Sequence, residues 1–170
     1  CKQCQVEKIN LGEIDAQLIR PKDNEVKLNR FIAKKGKSEI NLTGSWHFDN
    51  AQSYSTLSGK IGIDKVEREL ENLGMASIIK DSGIAIVLDV NWLGGPHQFS
   101  IASLNGQLSS HLNDGYLADV PDGARIFSVL SLQSLVRKLT LDFRDIFSDG
   151  MFYTEIKGDM SIKDGVLYTQ

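Results

Sequence analysis

Nothing in this sequence is long and apolar enough to span a bilayer. A crossing helix needs about 18 to 20 consecutive apolar residues, and here charge or polar residues break every such run. Positive charge is not in excess either. Nineteen Lys and Arg stand against 22 Asp and Glu, a net charge of −3, which removes the electrostatic footing of a nucleic-acid or anionic-membrane binder. Histidine and cysteine are scarce. His47, His97 and His111 are scattered without metal-ligand spacing, and two cysteines cannot complete a zinc site by themselves. Cys1 and Cys4 form a C-x-x-C, yet the strand-like residues Gln5 to Ile9 that follow are not the helix N-terminus a redox pair needs. The pair reads as local and structural, and the spacing leaves open whether a disulfide joins it.

Catalytic signatures are missing as well. There is no G-x-S-x-G elbow, no Walker loop and no H-E-x-x-H. Asp142, Asp145 and Asp149 lie close together. They lack the alternate spacing and terminal Glu of a calcium loop, Phe143 and Phe147 interrupt them, and they read as a solvated turn. His97 follows the Gly94-Gly95-Pro96 turn and reads as exposed, not as a general base. Without a convergent constellation the expectation is a non-enzyme with no catalytic, metal or cofactor-binding residue and no cofactor. An initiating Met and a signal peptide are also absent, and the chain ends in the strand-like residues Val166 to Gln170. It therefore reads as one segment of something longer.

What is present is alternation. With 41% hydrophobic and 24% charged residues the composition is that of an ordinary globular chain. Val6–Leu11 and Ile14–Ile19 read as two short strands around Gly12-Glu13, followed by a turn cluster from Pro21 to Glu25. Val26, Leu28, Arg30 and Ile32 alternate up to a basic hairpin tip at Lys34-Lys35-Gly36-Lys37. Ile40, Leu42, Gly44, Trp46 and Phe48 share one strand face, as do Leu57, Gly59, Ile61 and Ile63. Ile84, Ile86, Leu88, Val90 and Trp92 make the longest clean alternation; Phe99 and Ile101 read as its resumption after a turn. Leu104, Gly106, Leu108, Ser110 and Leu112 complete a further strand.

Two helices interrupt this pattern. Asp64-Lys65-Val66-Glu67 has the form of a capping box, with Val66, Leu70 and Leu73 as an apolar stripe and Gly74 as the stop. Val129, Leu132, Leu135, Val136 and Leu139 form a second stripe, after which Leu139, Leu141 and Phe143 switch to strand period. The expected fold is mainly β with two amphipathic helices, an α+β arrangement built on roughly ten antiparallel strands.

One motif recurs four times. Apolar–x–Gly–x–apolar occurs around Gly44, Gly59, Gly106 and Gly158, each time with the glycine on the apolar face. Glycine weakens a strand interior, so these positions point to a bulge, to strong curvature or to a close backbone approach.

Three stretches resemble the C-terminal region of the YhdP-type, AsmA-like envelope proteins of Gram-negative bacteria. They are Leu42-Thr43-Gly44-Ser45-Trp46, then Trp92-Leu93-Gly94-Gly95-Pro96, then Leu130 to Leu135 running on through Leu139 to Phe147 and Gly150-Met151-Phe152. The agreement covers about residues 40–170, so residues 1–40 stand as loosely matched leading strands and 41–170 as the family's C-terminal region. The resemblance implies a strongly curved antiparallel sheet, groove- or taco-shaped. It implies a segment of a periplasmic protein anchored in the inner membrane, with phospholipid acyl chains and unidentified inner- and outer-membrane envelope proteins as partners. Its role would be to carry phospholipid between the two membranes and so to maintain the outer-membrane barrier. The residues expected to line the groove are Ile40, Leu42, Trp46, Ile61, Ile84, Ile86, Leu88, Leu104, Leu108, Ile156 and Met160. Two alternatives stand beside this reading. One is a β-sandwich binding module for carbohydrate or protein, using Trp46, Trp92, Tyr54 and Tyr116 as platforms; the other is a purely structural envelope element.

Overall fold

The computed structural model describes residues 2–6, 9–49, 52–118 and 151–169. Long hairpins dominate. The strands are β1 (Cys4–Val6), β2 (Ile9–Lys22), β3 (Glu25–Lys35), β4 (Ser38–Phe48), β5 (Ser53–Ile63), β6 (Ile79–Lys80), β7 (Ile84–Leu93), β8 (Asn105–Leu112), β9 (Gly115–Leu117), β10 (Met151–Tyr153), β11 (Ile156–Lys163) and β12 (Val166–Thr169). One helix, α1 (Val66–Asn72), sits between β5 and β6.

Nine strands form one antiparallel sheet in the order β1-β2-β3-β4-β5-β7-β8-β11-β12, and β10-β9-β6 form a small second sheet. From β2 to β5, and again from β11 to β12, consecutive strands pair because short turns join their alternations, as at Gly36-Lys37 and Asp164-Gly165. The large sheet is not closed into a barrel: β1 and β12 stand at its opposite edges. At about 4.8 Å per strand, those edges lie roughly 38 Å apart along the sheet.

Several details depart from expectation. The two short strands around Gly12 are one 14-residue strand, because β3 pairs along it from Lys34 to Glu25, with register shifts after Gln17 and after Ile19. Gly12 (φ +73°) absorbs a bulge against β1 instead of a turn. In β3 the pairing slips between Leu28 and Phe31. Phe31 and Ala33 thereby join Val26 and Leu28 on one face, while Arg30 and Ile32 take the other. The capping box does not form. Lys65 is the N-cap, without a side-chain bond, and the Asp64 N–H is tied to Ser38 Oγ at 3.0 Å. Phe99 and Ile101 do not resume a strand, because Pro96 opens a 3-10 turn over Pro96–Gln98 and a second covers Ile101–Ser103. Among the described residues there is one helix, where two were expected. The second, with the Val129–Leu139 stripe, lies outside the described residues, as do Asp142, Asp145 and Asp149. Cys4 is disulfide-bonded.

Candidate functional site

Residues paired across an antiparallel ladder share a face, so the registers sort the whole sheet. Ala33, Ile40, Ile61 and Ile86 form one row across β3, β4, β5 and β7. The next row is Leu42, Gly59, Leu88, Leu108 and Met160, reaching β11. On one flank lie Leu28, Gly44, Leu57, Val90, Gly106 and Ile162, and then Trp46, Ser55 and Trp92. On the other lie Ile63, Ile84, Leu112 and Ile156. The opposite face carries Asn41, Lys60, Asp89, Gln107, Ser109 and Asp159 among others. From β3 to β11 the sheet thus has one mainly apolar and one mainly polar face.

Ten of the eleven expected lining residues share the apolar face. Leu104 lies in no paired strand; it caps the second 3-10 turn just before β8. Val90, Leu57 and Leu112 belong to the same face and were visible in the same alternation, while Phe31 and Ala33 were hidden by the slip in β3. Most of this face is half-buried. Among its described apolar residues, only Ala33, Val90 and Trp92 are fully buried.

The four glycines lie on this face. A Cβ on Gly59 would come within 2.0 Å of the Asn41 carbonyl oxygen, and one on Gly106 within 2.1 Å of that of Asp89. Both have positive φ, so the strands cross here in a conformation and at a closeness that only glycine accepts. At Gly158 the nearest atom is 3.5 Å away, and packing alone does not demand a glycine.

Each end of the strands is walled. At one end Trp46 packs on Phe48 (4.6 Å between centroids) and meets the edge of His97, while Trp92 meets Phe99 (5.4 Å). The Trp92 Nε1–H donates to the Gly95 carbonyl at 3.2 Å, and the buried Ser55 hydroxyl donates to that of Gly94 at 2.9 Å. These bonds fold the β7–β8 connection against the tryptophans. At the other end α1 buries Val66 and is held by the Lys35–Glu69 ion pair (2.8 Å) and by Lys80 with Glu67. The hydrogen bond that Lys80 donates to the Glu67 carboxylate holds the pKa of its ammonium above the usual range. Between the walls, the apolar rows run across the strands.

On the polar face Glu25 is buried against Lys27 and His47, whose ring stacks on Tyr54 at 4.7 Å. Glu155 sits between Lys157 (2.8 Å) and His111 (2.6 Å), and the Lys157 hydrogen bond holds its carboxyl below the usual range. Among the described residues no three His, Cys, Asp or Glu converge on a metal-sized space.

An open antiparallel sheet with one apolar and one polar face defines the class: a β-sheet scaffold that presents a broad hydrocarbon surface. The particular lineage follows from comparison with known proteins. The chain belongs to the YhdP family, whose model, described as YhdP protein, matches residues 1–170. It is 29% identical over 171 residues to the intermembrane phospholipid transporter YhdP of Escherichia coli (strain K12), an alignment covering 99% of this chain. The chain spans 13% of that relative's length. No solved structure matches it. Among the described residues no helix is long and apolar enough to cross a membrane.

Proposed function

We propose that this chain is a non-enzymatic segment of a longer AsmA-like protein. It carries phospholipid between inner and outer membranes along an apolar groove and so maintains the outer-membrane barrier. Residues 1–40 supply leading strands and 41–170 the characteristic region, in the periplasmic part of a protein anchored in the inner membrane. The observation that carries this reading is the row Leu42–Gly59–Leu88–Leu108–Met160, an apolar path across five neighbouring strands. Each buried CH2 of an acyl chain gains about 0.8 kcal/mol, so a continuous apolar strip holds lipid without catalysis. The tight crossings at Gly59 and Gly106 support strong curvature of the sheet about this strip, and the walls at both strand ends direct the path from strand to strand. The relative's role in intermembrane phospholipid transport supports the choice of ligand.

Site-specific photo-crosslinking in the intact parent protein, in cells, tests this. A photoreactive residue at Leu42, Leu88 or Leu108 is expected to capture phospholipid, while Asn41, Asp89 and Gln107 on the opposite face are not. Adducts on neither set, or equally on both, overturn the groove.

A further inference from the structure

A cleft of about 550 Å³ opens mainly from the polar face, at the strand ends where the tryptophan wall stands. Its floor is Tyr54, Thr56 and Asn91, and its far side is Ser103, Asn105 and Asp164. We propose that this cleft is a binding site for a neutral hydroxyl-rich ring, the pyranose of a glycan.

Its walls are prearranged by bonds among themselves. Asn105 Oδ1 accepts from the Asp164 N–H (3.0 Å), and its amide donates to the Ser103 carbonyl (3.1 Å). The Ser103 hydroxyl accepts from the Leu93 N–H (3.2 Å), while Ser45 N–H and hydroxyl engage Thr56 Oγ1 (3.1 and 2.8 Å). The tip of the β11–β12 hairpin is thereby fastened to the β7–β8 connection. Other groups are left for a ligand. Among the described residues the Asn91 and Gln52 amides have no partner, and each offers both a donor and an acceptor. Tyr54 is 43% exposed, and one of its ring faces is covered by His47 on the β4 side. On β7 the residue paired with Tyr54 is Leu93, which lines the cleft together with Asn91, the partner of Thr56.

The chemistry selects among ligands. No Lys or Arg lines the cleft and Asp164 is its one carboxylate, so phosphate and other anions are disfavoured. An aromatic face beside amides and a carboxylate suits a ring with C–H groups on one side and hydroxyls around its edge. A phospholipid chain in the apolar groove lies on the opposite face from Tyr54 and Asn91, and the two sites meet only at the strand ends by Trp92, so either can fail alone.

Saturation-transfer NMR and calorimetry on the full-length protein test the site, with methyl β-glucoside and chitotriose as probes and glycerophosphoglycerol as the headgroup comparator. The expected result is transfer to the sugar C–H protons, with affinity falling at least tenfold in Tyr54→Ala and Asn91→Ala. Tyr54→Phe and Val87→Ala, the latter on the same face outside the cleft, keep it within twofold. If Tyr54→Ala fails to fold, Asn91→Ala decides, since that amide holds nothing in the fold. No transfer to either sugar, equal affinity in the variants, or equal competition by glycerophosphoglycerol overturns the proposal.

Discussion

Gly59 and Asn41 lie on adjacent strands, so close that a Cβ on Gly59 would sit 2.0 Å from the Asn41 carbonyl oxygen. That carbonyl is backbone within a continuous ladder and has no freedom to swing aside. Gly106 stands in the same relation to Asp89, two strands further along the sheet. The narrow crossings are thus spaced across the apolar face, on β5 and β8 with β7 between them.

Replacing either of these glycines with alanine forces a shift of backbone. Gly59→Ala and Gly106→Ala are each expected to destabilise by about 2–3 kcal/mol, combining a disfavoured φ with overpacking. Gly158→Ala, with its nearest neighbour at 3.5 Å, is expected to stay within about 0.5 kcal/mol. Urea midpoints of the three variants check the contrast, and equal losses at all three would remove close approach as the reason for the motif.

Trp92 is 7% exposed and is the deepest aromatic contact between the β7–β8 connection and the sheet. Trp92→Ala is expected to cost about 3–5 kcal/mol from the cavity alone. Trp92→Phe keeps most of the ring but leaves the Gly95 carbonyl without its Nε1–H donor, at about 1–3 kcal/mol. Protease sensitivity of the residue 94–103 connection, read by mass spectrometry, is expected to rise in the same order.

Much of this was legible in the sequence, for a definite reason. From Ile84 to Trp92 every second residue is apolar, and a period of two with no slip translates directly into one face of one strand. The same reasoning failed in β3, where a bulge near Asn29 shifts the period and only the partner strand reveals it. It failed again at Asp64, whose N–H bonds to a serine 26 positions away instead of starting a helix by local capping. Apolar Phe99 and Ile101 look strand-like, yet Pro96 and the Gln98 side chain, bonded back to the Gly95 N–H at 3.0 Å, hold 3-10 turns. Of the cleft, only Tyr54 and Trp92 stand out in the sequence, as aromatic platforms of a binding module. The cleft's members come from β5, β7 and the turns at Ser103 and Asp164, brought together only by pairing.

The Glu155 carboxylate lends itself to a pH test. Lys157 holds it below the usual 4.5 of a glutamate, so its stabilising effect is fully present above that value and is lost as pH falls through the lowered folded value. Glu155→Gln is therefore expected to lower the urea midpoint relative to the parent at pH 7. The two midpoints are expected to converge toward pH 3. A difference that persists undiminished at pH 3 would assign the effect to packing instead of charge.

The sharpest prediction contrasts two neighbours on β7. Leu88 faces the apolar row beside Gly59 and Leu108, while Val87, 47% exposed, points to the polar face beside Lys60 and Ser109. A carboxylate at position 88 stands in the proposed acyl path, where an unpaired charge costs several kcal/mol to desolvate; at position 87 it meets water and a lysine. Leu88→Glu is therefore expected to cut phospholipid adducts at a photoreactive residue in position 108 at least tenfold and to weaken the outer-membrane barrier. Val87→Glu is expected to change neither. Because Leu88 is only half-buried, both variants should accumulate to parental levels. If Leu88→Glu is instead degraded while lipid capture by its surviving fraction is normal, the face is closed core and the path lies elsewhere.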